Sequence, residues 1–229
     1  MKTVWDKIWI KDVYSDEKLR QLKATQKVKK LLQVLPIGEG DKVLDIGCGG
    51  GYISKEIYSQ TKAKVFALDN SIQAVKLAKI ICKNTPIQIV QAKATAIPAR
   101  DNFVDVVLCI GLLEHVKDID LALKEIVRVL KDGGYIYVVS SNRFSFMYEQ
   151  RILRQLIHMW PYGYQKNWTK EKLIKKLNSY GFYTEMAEIQ PGIGNFKIID
   201  RLDMIFSTKN RKRGRYIYFI GKLHKGGQI

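Results

Sequence analysis

A short stretch around residue 45 combines one acid with a series of glycines. Asp45 stands two residues before Gly47, and Gly49 and Gly51 follow at alternate positions, which gives the pattern D-x-G-x-G-x-G. Glycine permits φ > 0 and lets a ligand approach bare backbone N–H groups. A dinucleotide fingerprint, G-x-G-x-x-G, would need glycine in place of Tyr52, and an acid here would repel a pyrophosphate. A ligand that carries both an ammonium and a carboxylate suits this loop better.

A second acid, Asp69, lies 18 residues after Gly51, at the end of a predicted strand. Nucleotide-binding α/β folds place a carboxylate at about this distance, where it accepts hydrogen bonds from the ribose hydroxyls. The alternative is that Asp69 caps the following helix. Ser71 is better placed for capping, so Asp69 is predicted to bind a ribose.

A glutamate and a histidine, Glu114 and His115, follow a third predicted strand, 104–110. Open α/β sheets bind their ligands at the carboxyl ends of such strands. An unperturbed histidine has a pKa near neutrality, which suits a general base. Either residue can instead brace the loop that carries it, and the sequence leaves the catalytic and the bracing roles open.

Three segments of the chain resemble one enzyme family. Residues 43–52 read VLDIGCGGGY, residues 92–98 read AKATAIP, and residues 111–116 read GLLEHV. Together they resemble the class I methyltransferases that use S-adenosylmethionine (SAM), in particular the type 11 branch, which includes quinone-methylating enzymes. The resemblance covers residues 43–139 well and the rest loosely. It implies SAM as the cofactor and S-adenosylhomocysteine as the product.

The resemblance also implies roles for residues outside the glycines. Cys48 belongs to the cofactor loop, Asn70 would lie against the adenine, and Ile110 would pack against the cofactor. Related enzymes carry an aspartate that accepts from the adenine amino group where this chain has Lys93. A lysine has no acceptor, so that contact cannot be made in the usual way. Ala94 can still offer its backbone N–H to the ring.

The elements that position these residues alternate between strands and helices. Strands are predicted at 42–46, 63–68, 86–91, 104–110 and 135–140, with helices between them, and this order indicates a parallel sheet with right-handed crossovers. Ser71, Asp118 and Thr169 are predicted N-caps, and Gly133-Gly134 is predicted to end the helix after Asp118. With strands at 182–189 and 216–223, the resemblance implies an α/β, Rossmann-like doubly wound fold. Its seven-stranded sheet would be mostly parallel, with an antiparallel last strand and helices on both faces.

Two regions flank the segments that carry the resemblance, and residues 1–229 are predicted to form one domain. Related enzymes have an N-terminal helix that closes over the cofactor, and residues 1–35 would supply that cover, although plain packing explains the same periodicity. An aromatic insertion, 142–168, would lie above the methyl donor and form the acceptor pocket. A core patch or a dimer face explains its pattern equally well. The predicted substrate residues are Arg143, Phe146, Tyr148 and Trp160.

The chain is strongly basic, with 39 Lys and Arg against 22 Asp and Glu, a net charge of +17 and a pI near 9.7. Such a field attracts RNA, anionic membrane headgroups or acidic small molecules, but a general lysine bias accounts for it equally well. Further predictions are a helix at 195–206 and a basic turn at 209–215. The spacing of the Cys and His residues predicts neither a disulfide framework nor a metal site. No run approaches the length of a membrane span, and a cytoplasmic location is predicted.

The predicted function is methyl transfer from SAM to a small-molecule or lipid-like acceptor by in-line displacement. His115 is the candidate base, with Glu114 beside it. Two alternatives stay open. One is an RNA methyltransferase that uses the basic surface, and the other is a catalytically silent SAM-binding module, which Lys93 suggests.

Overall fold

The computed structural model describes residues 3–12, 16–190 and 212–226. Seven strands in these ranges form one sheet in the order β3-β2-β1-β4-β5-β7-β6. Their bounds are β1 Lys42–Ile46, β2 Lys64–Asp69, β3 Gln88–Gln91, β4 Val104–Ile110, β5 Leu130–Ser141, β6 Phe182–Gln190 and β7 Tyr216–Leu223.

The sheet reverses direction once, at β7. Strands β1 to β5 pair in parallel, while β7 pairs antiparallel with both β5 and β6. The predicted α/β class and the antiparallel last strand are confirmed. Since parallel neighbours place their carboxyl ends at one edge, the ends of β1, β2 and β4 lie side by side.

Helices cover both faces of the sheet. Their bounds are α1 Val4–Asp12, α2 Glu17–Val34, α3 Tyr52–Thr61, α4 Ile72–Ile81, α5 Ile119–Val129, α6 Phe146–Leu156 and α7 Lys170–Asn178. Successive residues of β4 enter different cores, with Val106 packed beside α2 and α3, and Val107 beside α5 and α7. This alternation follows from the pleat of a strand, which turns neighbouring side chains to opposite faces.

All three predicted N-caps are confirmed by hydrogen bonds. Ser71 Oγ accepts from the Ala74 N–H at 3.3 Å, Asp118 Oδ1 from the Leu121 N–H at 3.0 Å, and Thr169 Oγ1 from the Lys172 N–H at 3.3 Å. Each bond satisfies a donor that the first helical turn leaves without a partner. The backbone therefore enters α4, α5 and α7 where the sequence indicates.

The predicted end of α5 is wrong. The helix stops at Val129, and Gly133 (φ +72°) lies within β5 instead of ending the helix. Leu130 adopts an extended conformation, is fully buried, and pairs with Val104 across the sheet. Burial of that leucine in the strand outweighs continuation of the helix toward the glycines. The predicted helix 195–206 and residues 209–211 of the basic turn lie outside the described residues.

Within the described ranges, the structure has no helix that is long and apolar enough to cross a membrane.

Candidate active site

The glycine loop that joins β1 to α3 contains three glycines with left-handed backbone conformation. Gly47, Gly49 and Gly51 have φ values of +74°, +55° and +77°, a region that only glycine enters without strain. A Cβ on Gly49 would lie 2.5 Å from the Trp9 ring, and one on Gly51 would lie 3.0 Å from Ala78 Cβ. These two glycines therefore also permit the close approach of α1 and α4.

Several N–H groups of the loop are already used inside the protein. The Gly47 and Cys48 N–H groups donate to the Leu68 carbonyl at 2.8 and 3.0 Å, and the Gly51 N–H donates to the Cys48 carbonyl at 3.0 Å. The loop is thus held rigidly against β2. The sequence-based expectation of a ring of donors open to a ligand does not hold for these three groups.

Asp45 lies buried beneath this loop and does not line the open cavity above it. Its carboxylate is 3% exposed and accepts a hydrogen bond from Ser54 Oγ at 2.6 Å. Burial raises the pKa of Asp45 to about 6, helped by the charge of Asp69 and opposed by the Ser54 hydrogen bond. Asp45 therefore connects β1 to the first turn of α3.

Asp69 ties the glycine loop to the start of α4. Its Oδ2 accepts from the Gly49 N–H at 3.0 Å, and its Oδ1 accepts from the Ser71 N–H at 2.8 Å. Burial raises the pKa of Asp69, although these hydrogen bonds oppose the rise. Each carboxylate oxygen can accept a second hydrogen bond, so the group is fixed in place and can still receive two hydroxyls.

A cavity of about 500 Å³ opens above the carboxyl ends of β1, β2 and β4. This volume lies within the range of small-molecule sites, about 300–1,000 Å³. It brings together seven of the predicted site residues, namely Gly47, Asp69, Asn70, Lys93, Ala94, Ile110 and His115. Trp5 and Trp9 of α1 line the same cavity. Asp45, Cys48, Gly49, Gly51 and Glu114 do not line it.

Glu114 is a buried brace of the loop after β4. It is 2% exposed and accepts three hydrogen bonds, from Ser140 Oγ at 2.8 Å and from the N–H and Oγ of Ser141, each at 3.0 Å. These bonds attach the loop to the end of β5. Of the two roles left open, the geometry supports bracing for Glu114, because its carboxylate is directed away from the cavity toward β5.

His115 has one ring nitrogen occupied. Nδ1 lies 3.1 Å from the Tyr164 carbonyl oxygen. A carbonyl only accepts, so Nδ1 carries the proton and the lone pair of the neutral ring is on Nε2. The Trp5 ring contacts the imidazole edge-on at a centroid distance of 4.7 Å. The ring is therefore held in one orientation and one tautomer at the wall of the cavity.

The predicted substrate residues lie at a different cavity. Arg143, Tyr148 and Trp160 line a space of about 80 Å³ next to the start of α6, and the Phe146 side chain lies outside the described residues. Another cavity, of about 50 Å³, shares one lining residue with each of these two. Ile110 lines both it and the large cavity, and Tyr216 lines both it and the 80 Å³ cavity. We name the cavity of about 500 Å³ the cofactor cavity, the cavity of about 50 Å³ the tyrosine cavity, and the cavity of about 80 Å³ the arginine cavity.

Comparison with known proteins agrees with this geometry. Residues 44–138 match a family model described as a methyltransferase domain. The ubiquinone biosynthesis O-methyltransferase of Shewanella pealeana is 33% identical over 129 residues, which make up 54% of this chain and 54% of the relative. These two matches support a class I SAM-dependent methyltransferase domain over residues 44–138. The enzyme of the same name from Cupriavidus pinatubonensis is 29% identical over 62% of this chain and 60% of its own length. The chain spans about half the length of the curated relatives that it matches.

Solved structures share the fold at low sequence identity. A putative methyltransferase from Bacillus halodurans has a TM-score of 0.68 at 19% identity, with 87% of this chain and 100% of that chain covered. A geranyl diphosphate methyltransferase in complex with SAM has a TM-score of 0.67 at 14% identity, with 87% of this chain and 85% of that chain covered. These likenesses show a common architecture.

The residues of the cofactor cavity fit SAM. The fixed carboxylate of Asp69 has lone pairs for two ribose hydroxyls, and Asn70 and Ala94 lie beside it on the cavity wall. Lys93 is exposed at the same wall. It is the first residue of a tight turn, in which the Ala96 N–H donates to the Lys93 carbonyl at 3.0 Å. Its ammonium can donate but not accept, so the adenine edge must find its acceptor elsewhere on this wall.

Sequence reasoning missed the residues of the tyrosine cavity. Tyr137, Tyr216 and Tyr218 line it, together with Lys27 of α2. Burial raises the pKa of Tyr137, and raises that of Tyr218 to about 12, so both hydroxyls stay protonated at neutral pH. The alternation of Tyr216 and Tyr218 along β7 was the available signal, since residues two apart share a face.

Proposed function

We propose that this methyltransferase transfers the methyl group of SAM to a hydroxyl of a small, partly apolar acceptor. The observation that carries the proposal is that neighbouring cavities share a lining residue, Ile110 in one pair and Tyr216 in the other. Ile110 forms the boundary between the cofactor cavity and a pocket walled by Val139, Tyr137 and Tyr218. The relatives named as ubiquinone biosynthesis O-methyltransferases support a small-molecule acceptor and an oxygen as the methylated atom. They give no support to the RNA alternative.

Each residue has a definite task in this proposal. SAM, when bound, would supply a methyl group on a sulfonium: the acceptor oxygen would bond to the methyl carbon in line as the carbon–sulfur bond breaks, with S-adenosylhomocysteine as the leaving group. Asp69 would accept the ribose hydroxyls, Asn70 and Ala94 would bound the adenine, and Gly47 and Ile110 would pack against the rest of the cofactor. The chain mainly positions two reactants, which can lower the barrier by roughly 7–11 kcal/mol. His115 would remove the hydroxyl proton through Nε2.

The direct test is to follow labelled methyl from SAM into a cell extract, with SAM affinity measured in parallel by calorimetry. Label should enter the organic-soluble or small-molecule fraction. Label in RNA would overturn the proposal in favour of the basic surface. SAM binding without any labelled product would instead favour a catalytically silent module.

Replacing His115 with glutamine should lower kcat by about 100-fold, the lower end of what a general base contributes. The affinity for SAM should change by less than about threefold, because glutamine can still donate to the Tyr164 carbonyl. The measurement is kcat of the wild type and of the variant across a range of pH. His224→Gln, an exposed site beside Tyr183, is the matched control. An unchanged rate across pH would leave His115 with a bracing role only.

We further propose that α1 acts as a cover over the cofactor cavity. It is attached to α4 through Asp6, which is 3% exposed and accepts from Ser71 Oγ at 2.6 Å. The same carboxylate accepts from the Thr3 N–H at 2.7 Å. Burial alone would raise the pKa of Asp6, but the hydrogen bonds from Ser71 and Thr3 outweigh it and lower the pKa. The stability that Asp6 contributes to the docking of α1 should thus be present above its unfolded pKa of 3.8. It should be lost only as the pH falls through the lower pKa that Asp6 has in the folded protein.

Asp6→Ala should release this cover. Losing hydrogen bonds to a carboxylate costs roughly 1.5–3 kcal/mol each, so amide exchange in α1 should accelerate by at least about tenfold. SAM affinity should fall as Trp5 and Trp9 leave the cavity wall. Hydrogen exchange with mass spectrometry measures the first effect and calorimetry the second. Glu17→Ala, an exposed acid in the first turn of α2, serves as the control. Unchanged exchange in α1 would contradict the cover.

A further inference from the structure

The arginine cavity is lined by positive charge. Arg143, Arg151, Lys166 and Arg215 all line this space of about 80 Å³, and no acidic side chain is among its described lining residues. The cavity lies where β5 ends and α6 begins, and the segment 165–167 closes its other side. A cluster of bases in a concave site attracts an anion.

Arg151 is the central group, because it is buried without a counter-charge. Its side chain is 5% exposed, and within the described residues it forms no ion pair. One guanidinium nitrogen, Nη2, donates to Asn167 Oδ1, but Nε has no hydrogen-bond partner. The guanidinium lies over the Tyr148 ring at 5.0 Å. Arginine keeps its proton in a protein, so the guanidinium stays charged. Burying that charge without a counter-charge is costly.

Two further polar groups of the same cavity lack partners. Trp160 Nε1, a donor only, and Gln165 Oε1 are both buried and make no hydrogen bond within the described chain. Buried polar atoms in native proteins nearly always have partners. The two buried donors without a partner in this cavity, Arg151 Nε and Trp160 Nε1, therefore indicate a ligand that supplies acceptors.

The size and the surroundings of the cavity favour a small oxyanion. The cavity volume of about 80 Å³ is several times larger than the volume that one water molecule needs, roughly 10–15 Å³. A single phosphate or carboxylate group suits a cavity of this size. Ser145, the N-cap of the 11-residue helix α6, also lines the cavity. The positive end of the helix dipole adds to the attraction for an anion.

We propose that the arginine cavity binds a phosphate or carboxylate group, and that this group is the charged end of the methyl acceptor. Arg151 would pair with it through Nε, and Trp160 Nε1 would donate a second hydrogen bond. The body of the acceptor would then pass Tyr216 into the tyrosine cavity and bring its hydroxyl to Ile110, at the edge of the cofactor cavity. The assignment to the acceptor rests on the proposed methyl transfer, whereas anion binding does not.

Calorimetry with inorganic phosphate tests the anion site. Chloride should keep the ionic strength constant, because a chain of net charge +17 attracts any anion nonspecifically. We expect saturable phosphate binding that weakens by at least about tenfold in Arg151→Gln and by less than about twofold in Arg154→Gln. Arg154 is an exposed residue of the same helix. No saturable binding beyond that of chloride, or equal losses in both variants, would overturn the site.

A milder variant keeps the test valid if Arg151→Gln does not fold. Trp160→Phe retains an aromatic ring and removes the Nε1–H donor, which has no partner among the described residues, together with part of the indole ring. It should weaken phosphate binding by about three- to tenfold, and circular dichroism can verify that the variant folds. Wild-type affinity for phosphate in this variant would contradict a role for Nε1.

Steady-state kinetics distinguish a free anion from a group of the acceptor. If the group belongs to the acceptor, phosphate should raise the KM for the acceptor competitively and leave the affinity for SAM unchanged. Phosphate binding without such competition would reject the assignment to the acceptor and retain a site for a free anion. Phosphate binding in a protein that does not bind SAM would reject the proposed function and leave the anion site standing.

Discussion

Asp69→Asn is expected to weaken SAM binding by at least about 100-fold. The carboxylate holds the Gly49 and Ser71 N–H groups on separate oxygens, and asparagine replaces one of those acceptors with a donor. One N–H group then loses its partner, and the ribose hydroxyls lose a charged acceptor. Hydrogen bonds to charged groups contribute roughly 1.5–3 kcal/mol each, and 1.4 kcal/mol corresponds to a factor of ten in affinity.

Calorimetric titration with SAM measures this effect. Asp101→Asn is the matched control, since Asp101 is exposed and pairs with Arg128 away from the cofactor cavity. The fold should persist in both variants, which circular dichroism can verify. A loss of less than about threefold in Asp69→Asn would mean that the ribose is bound elsewhere.

Asp45→Asn is expected to stabilise the cofactor-free protein at neutral pH. The pKa of Asp45 rises from 3.8 to about 6 on folding, chiefly through burial, so the folded state prefers the protonated form. The stability that this preference contributes is present below pH 3.8 and is lost as the pH rises through about 6. The full difference corresponds to about 3 kcal/mol. Asparagine remains neutral and can still accept from Ser54.

Urea unfolding between about pH 4.5 and 7.5 measures this effect through the free energy of unfolding. The wild-type value should fall across this range relative to that of the variant, by about 2 kcal/mol. Asp101→Asn should instead follow the wild-type curve. Parallel curves for wild type and Asp45→Asn would show that Asp45 titrates like an ordinary surface carboxyl. The expected fall would instead mean that the ionised Asp45 carboxylate beneath the glycine loop destabilises the folded protein.

The proposed division of the acceptor between two cavities changes the meaning of the aromatic insertion. Sequence reasoning placed Arg143, Tyr148 and Trp160 above the methyl donor, whereas they line the arginine cavity. A later part of the insertion, after α6, makes the contact with the cofactor cavity. There the Tyr164 carbonyl faces His115, and the Lys166 N–H donates to the Glu114 carbonyl at 2.6 Å. The insertion would therefore bind one end of the acceptor and position the base at the other end.

Local patterns in the sequence determined the sheet, the caps and the cofactor loop. Apolar strand runs, a serine or aspartate before a helix, and glycines with φ > 0 act through neighbours along the chain, so residues such as Ser71 and Gly47 can be interpreted one at a time. The end of α5 escaped prediction because the pairing of Leu130 with Val104 is a contact between distant segments.

Only the tertiary structure decided which polar groups share a space. Glu114 could be base or brace until Ser140 and Ser141 of β5 were seen to donate to it. Arg151, Trp160 and Gln165 have no common spacing in the sequence, yet the path from α6 to the segment 165–167 brings them to one cavity. Burial without partners is a property of that arrangement and is not encoded at any single position. The sequence by itself therefore predicts where the cofactor binds, and the fold determines the shape and charge of the space proposed for the acceptor.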